Sequence, residues 1–245
     1  VLLSAHIVQT GMGKALTAFR RPPDPGAVDG LRYARTYLTA ELRKGMLPSL
    51  AITGVALIAA WDDDEYLDRF LYHRRARPYE DGWRVRMLPA RSIGELPGLP
   101  DLPRRERPTG DLPVVAVTVG RVRANRFLRF VRAAGAAERE AAGHPGFVDG
   151  LTLLRPPLVI GTFSLWRNVR DMRQYVTGKY PGGHERAMKV DREHRLNHEM
   201  SFSRYVPYAA EGRWGASNPL DMLDCVNGSD STTGPLSPMD TSNGV

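Results

Sequence analysis

Val114–Val119 reads VVAVTV, an apolar run rich in β-branched residues and of the length of a buried strand. From Ala124 to Ala142, Phe127, Leu128, Val131, Ala134 and Ala137 recur at three- and four-residue spacing, with Arg123, Arg126, Arg129 and Arg132 on the other side. That pattern predicts an amphipathic helix, ended by Gly143 and Pro145. Residues 147–154 and 158–166 form two strands turning at Pro156-Pro157. Asn168 then caps a helix, with Asp171 three residues on as in a capping box and Met172, Tyr175 and Val176 on its apolar side. A last helical stretch over about 184–199 leads into a strand at Ser201–Val206. The order is β-α-β-β-α-β.

The same order runs more faintly through the first half. Aligning Trp61 with Trp166 sets Asp63 on Asn168, Leu67 on Met172, Phe70 on Tyr175 and Leu71 on Val176, and Arg86-Met87-Leu88-Pro89 falls on Arg204-Tyr205-Val206-Pro207. The first strand is expected at Leu2–Val8. The second is expected at about Leu31–Thr39, although Leu31–Lys44 also has a helical reading. The chain is therefore read as α+β, a duplicated ferredoxin-like unit (βαββαβ twice). Pairing the bare faces of the two sheets would bury both and enclose a ligand cavity between them.

Residues 94–113 (GELPGLPDLPRRERPTGDLP) hold too many Pro and Gly for a helix or a central strand and read as a linker. The halves are then 1–93 and 114–210, and the polar stretch 215–245 is expected to be a disordered tail. At 245 residues and 42% hydrophobic content the chain can bury a full core. The apolar stretch from Met46 to Trp61 is interrupted by Pro48, Ser49 and Thr53, so no transmembrane segment is expected. Nor does the start have the pattern of a signal peptide, and with a single cysteine, Cys225, the expectation is a cytoplasmic protein. The net charge is +7, and residues 216–245 contain four Asp and no Lys or Arg, so the rest is still more basic. Its arginines are scattered among acids without a basic block or an aromatic ladder, which argues against nucleic acid as a partner.

With these segments in place, the chain resembles the spheroidene monooxygenase family. The resemblance is carried by Ala59-Ala60-Trp61-Asp62, Gly82-Trp83-Arg84-Val85-Arg86, Gly161-Thr162-Phe163-Ser164-Leu165-Trp166-Arg167, His184, Glu199, Phe202 and Arg204, and covers about residues 50–93 and 114–206. It implies a duplicated dimeric α/β-barrel fold formed within one chain, haem as cofactor, and insertion of an oxygen atom from O2 into a hydrophobic small molecule, carotenoid-like or aromatic. The electron donor is left unknown. Since one chain supplies both halves, a monomer suffices, with homo-oligomers open.

Haem iron takes an axial donor, most often a neutral imidazole. His6, His73 and His144 read as packed or surface residues, and His194 and His198 as members of a solvated helix. His184 is the one that matches the family pattern, as haem ligand or as a capping residue near Gly182 and Gly183. Arg204 shares a strand face with Phe202 and Val206, where it would face either a propionate or bound oxygen, or solvent. Trp166, Arg167 and Phe202 complete the candidate cofactor site, with packing of Trp166 and solvation of Arg167 as the competing roles. Two other functions fit the same fold: a cofactor-free oxygenase, cyclase or isomerase, and a non-catalytic ligand-binding module.

Overall fold

The computed structural model describes residues 1–42, 51–94, 111–177 and 183–221, with the side chains of 183–186 and Arg192 outside that set. The first half runs β1 (Leu2–Gln9), α1 (Met12–Arg20), β2 (Leu31–Glu41), β3 (Gly54–Trp61), α2 (Asp64–Leu71) and β4 (Trp83–Ile93). The second runs β5 (Val114–Val122), α3 (Phe127–Gly143), β6 (Phe147–Arg155), β7 (Val159–Trp166), α4 (Val169–Val176), α5 (Gly183–His194) and β8 (Asn197–Glu211). Both caps form: Asp63 accepts from the amide of Tyr66, and Asn168 accepts from the amide of Asp171 at 2.8 Å.

The eight strands close a barrel in the order β1-β3-β2-β6-β7-β5-β8-β4. All the strand pairs are antiparallel, and the two halves meet at two seams, β2 with β6 and β4 with β8. The internal repeat is visible in the register. Leu2 stands opposite Trp61 as Val114 stands opposite Trp166, and Leu3 opposite Met87 as Val115 opposite Tyr205. Even the irregularity recurs, between Leu31 and Tyr33 in one half and between Phe147 and Asp149 in the other. The chain is thus an α+β protein of the duplicated, dimeric α/β-barrel kind.

Alternation along the strands sorts the core. Leu3, Ala5 and Ile7 of β1, Val115, Val117 and Val119 of β5, Phe163 and Leu165 of β7 and Tyr205 of β8 point into the barrel, where Trp83, Met87 and Tyr37 join them. The cavity expected between the two sheets is therefore taken up by side chains. A recess of about 250 Å3 opens at one end between Gln9, Glu41, Asp149 and Trp214. Past β8, Gly212 adopts φ +79°, and a Cβ there would stand 2.1 Å from the carbonyl oxygen of Gly82, so glycine is needed for the chain to fold back. Trp214 then enters the barrel mouth, its ring 5.3 Å from that of Trp83 and 5.9 Å from that of Phe163. Residues 215–221, read as the start of the tail, are in place there: Ser217 bridges to Trp214, and Asn218 accepts from the Trp83 indole at 2.7 Å. Residues 222–245, Cys225 among them, lie outside the described residues, as do 95–110 of the linker.

The strand expected at about Leu31–Thr39 forms as Leu31–Glu41, and pairing with β3 and β6 on both sides overrides the alternative helical spacing. Two other expectations are corrected. The helix expected over 184–199 ends at His194: Arg195 takes φ 45° and Leu196 is buried, so His198 lies in β8 and does not share a helix face with His194. Finally, α3 keeps Ala134 and Ala137 of its expected face inward but is rotated about them. Leu128 is 72% exposed, and Phe130, Ala134, Ala137, Glu138 and Ala141 look inward. In an Ala-rich helix the apolar stripe is weak, so packing against the sheet and α5 sets the rotation. Among the described residues no helix is long and apolar enough to cross a membrane.

Candidate functional site

The outer face of each half-sheet is covered by that half's own helices, and the two halves fill this layer differently. In the first half the row across the sheet is His6, Leu57 and Thr36, aligned by register, and it packs among Ala15, Leu67, Phe70 and Tyr79. His6 is buried, with Nε2 3.1 Å from the Ser4 hydroxyl, which also accepts from the Trp61 indole. Burial, with Arg84 and Arg86 adding to it, pushes its imidazole down to about 3, so it sits neutral in the core.

The same row in the second half is Thr118, Thr162 and Thr152. The position of Val8 is taken by Gly120 and that of Ala59 by Ser164, and the covering helix α3 presents alanines. Small residues on both sides leave a cavity of about 180 Å3. Its floor is Ala116, Thr118, Thr162 and Phe202, its roof Phe130, Ala134, Ala137 and Glu138, and one end is closed by Trp166 and Tyr175. Ala187 and Met188 of α5 form the remaining wall. Apart from the threonines, Ser164, Asn197, Tyr175 and Glu138, the described lining is mainly apolar.

Glu138 was not anticipated from the sequence. Its position among AAERE suggests a solvated helix face, yet it is 5% exposed. Oε1 accepts from the Thr152 hydroxyl at 3.2 Å, and Oε2 has no hydrogen-bond partner among the described residues. Burial pushes its carboxyl up to about 7, opposed by the Thr152 bond. The signal available in the sequence is indirect: Glu138 is the one acid four residues after Ala134 and three before Ala141, on a face otherwise made of small residues.

Of the five residues expected to form the site, Trp166 and Phe202 line the cavity. Trp166 also packs, stacked on Tyr175 at 5.0 Å and edge-on to Phe147 and His144. Arg167 turns away and pairs with Asp171 at 2.8 Å. Arg204 is buried on the outer face of β8, two residues beyond Phe202 and opposite Ala116 across the β5 pairing, but it does not line the cavity. Its counterpart Arg86 is held by Asp64 and Asp68 of α2, and the matching positions of α4 are Val169 and Arg173. His184 lies in the first turn of α5, and its side chain is outside the described residues. His144 is buried beside Trp166, where its Nδ1 accepts from the amide of Gly146.

A haem needs an axial donor and room for a flat macrocycle. No imidazole is among the described lining residues, and the volume is below the roughly 300–1,000 Å3 typical of sites for drug-sized ligands. The cavity as described does not fit a porphyrin. It does fit a compact, mainly hydrophobic molecule with a polar group.

No family model matches the chain, and no curated protein does. Similar solved structures include a provisionally named monooxygenase of Fusobacterium nucleatum (7% identity, 87% of this chain and 95% of that one, TM-score 0.41). A second, of Lactobacillus acidophilus, is also provisionally named a monooxygenase (10% identity, 86% and 95%, TM-score 0.38). A third is an anthrone oxidase-like protein (15% identity, 86% and 91%, TM-score 0.34). Likeness of this degree carries no argument about chemistry.

Proposed function

We propose that the chain is a monooxygenase whose substrate, a compact hydrophobic and preferably aromatic molecule, binds between the outer face of the second half-sheet and helices α3–α5. The observation that carries this reading is the hollow itself. One half fills the layer with His6 and Leu57, whereas its repeat carries Thr118 and Thr162 there and stays open. An open layer of this size forgoes packing that the first half makes, a cost with a purpose if a ligand occupies it. The shape favours an aromatic or polyketide-like substrate over an extended carotenoid.

The family resemblance would add haem with His184 as its axial ligand; the cavity as described does not accommodate it, so the substrate site proposed above does not depend on haem. The test is spectral: protein produced with a haem precursor should show a Soret band that is lost in His184→Ala while the fold is kept. A colourless, folded protein rejects haem. A second reading, oxygenation without a cofactor, is favoured by the acid in the cavity, because Glu138 could take a proton from a substrate that then reacts directly with O2. Oxygen uptake by the colourless protein with an anthrone-type aromatic would support it. Ligand binding without uptake would leave a binding module.

A further inference from the structure

Among the described residues the cavity lining contains one charged-type group, Glu138, and the haem-dependent reading gives it no role. Glu138 projects from α3 into a lining of Ala134, Ala137, Ala141 and Trp166, is nine-tenths buried, and has only half of its carboxyl satisfied. A buried acceptor without a partner costs on the order of 1–3 kcal/mol, more if charged. If α3 served only as cover, an apolar residue here would be cheaper, as on the first half's filled layer. The Thr152 hydroxyl holds Oε1, while Oε2 is enclosed by its neighbours, so a ligand hydroxyl would reach it with a small turn of the carboxyl toward the cavity that Glu138 lines.

We infer that Glu138 is the anchor of a ligand-binding site, receiving through Oε2 the hydroxyl of a compact, otherwise apolar phenol or enol. This rests on the outer cavity as the ligand site, but not on oxygen chemistry. The hydroxyl donates to the carboxyl oxygen, the aromatic body fills the space between Phe130, Trp166 and Phe202, and the threonine hydroxyls of Thr118 and Thr162 lie on the floor beneath it. No bond is made or broken in binding. In a turnover that follows, the same oxygen is placed to accept the hydroxyl proton, leaving the substrate as its anion. A site built to pair a hydroxyl discriminates sharply against the analogue that lacks it, because the acid then stays unpaired.

The test uses the full chain and two probes of like shape, 2-naphthol and naphthalene, titrated at pH 7.5 by calorimetry or by quenching of tryptophan fluorescence. Wild type should bind 2-naphthol at least tenfold more tightly than naphthalene. Glu138→Leu, which removes a buried acid and should fold at least as well by circular dichroism and thermal unfolding, should lose that preference while still binding naphthalene. Glu138→Gln, whose amide oxygen can still accept, should keep part of it. Equal binding of the two probes by wild type, an unchanged preference in Glu138→Leu, or no binding of either probe would overturn the inference. The outcomes separate from those of the oxygenase reading: Glu138-dependent binding without oxygen uptake keeps the anchor and rejects the oxygenase, and oxygen uptake unaffected by Glu138→Leu does the reverse.

Discussion

The double variant Ala137→Leu/Thr162→Leu should be at least as stable as wild type and should bind 2-naphthol more than 30-fold less tightly, with any turnover lost in proportion. Both positions line the cavity, one on the helix and one on the sheet, and Thr162→Leu restores the residue type that the first half carries at the matching position, Leu57. Added methylenes in a packed core normally cost about 1–3 kcal/mol. Here they enter empty space, so the transfer gain of roughly 0.8 kcal/mol per buried methylene should outweigh strain and the lost hydroxyl. Thermal unfolding and probe titration on the same preparation check both halves of the expectation. A variant that still binds the probe normally would show that the ligand sits elsewhere.

The second large effect concerns pH. His6 is held neutral far below its ordinary value, to about 3. Between pH 6.5 and 3 the unfolded chain therefore binds a proton that the folded chain refuses, and stability falls as the solution is acidified through that window. Glu138, raised from 4.5 to about 7, acts in the opposite sense: between 4.5 and 7 the folded state keeps a proton that the unfolded state releases, and stability falls as pH rises. Relative to wild type, His6→Leu should gain about 1.4 kcal/mol per pH unit on going from pH 6.5 to 4.5. Over the same interval Glu138→Leu should lose a similar amount, and the double variant should follow wild type. Urea unfolding at pH 6.5, 5.5 and 4.5 gives the slopes. Parallel curves for all four proteins would mean that neither group is sequestered as described.

Much of the fold could be read from the chain because duplication writes the same message twice. The caps Asp63 and Asn168, the paired tryptophans with Phe70 and Tyr175 against them, and the matched Arg86 and Arg204 segments each fix a register, and the observed pairing follows them. The site was less legible. Strand alternation says which residues share a face, but the choice between barrel interior and helix-covered exterior depends on total side-chain volume, and Trp83, Tyr37 and Trp214 settle it by filling the interior. The rotation of α3 was hidden for a related reason: where a helix is made of alanines, hydrophobicity scarcely distinguishes one side from another, and Glu138 looked like its neighbours Arg139 and Glu140.

The two repeats are joined by backbone hydrogen bonds along β2–β6 and β4–β8 and by the shared interior, independently of the peptide link between them. Cleavage engineered within 95–110 should accordingly leave a two-piece molecule that co-purifies and melts in a single transition, and separately expressed pieces 1–94 and 111–245 should find each other and rebuild the ligand pocket. The covalent tether would then set how quickly the partners meet, while the seams keep them joined.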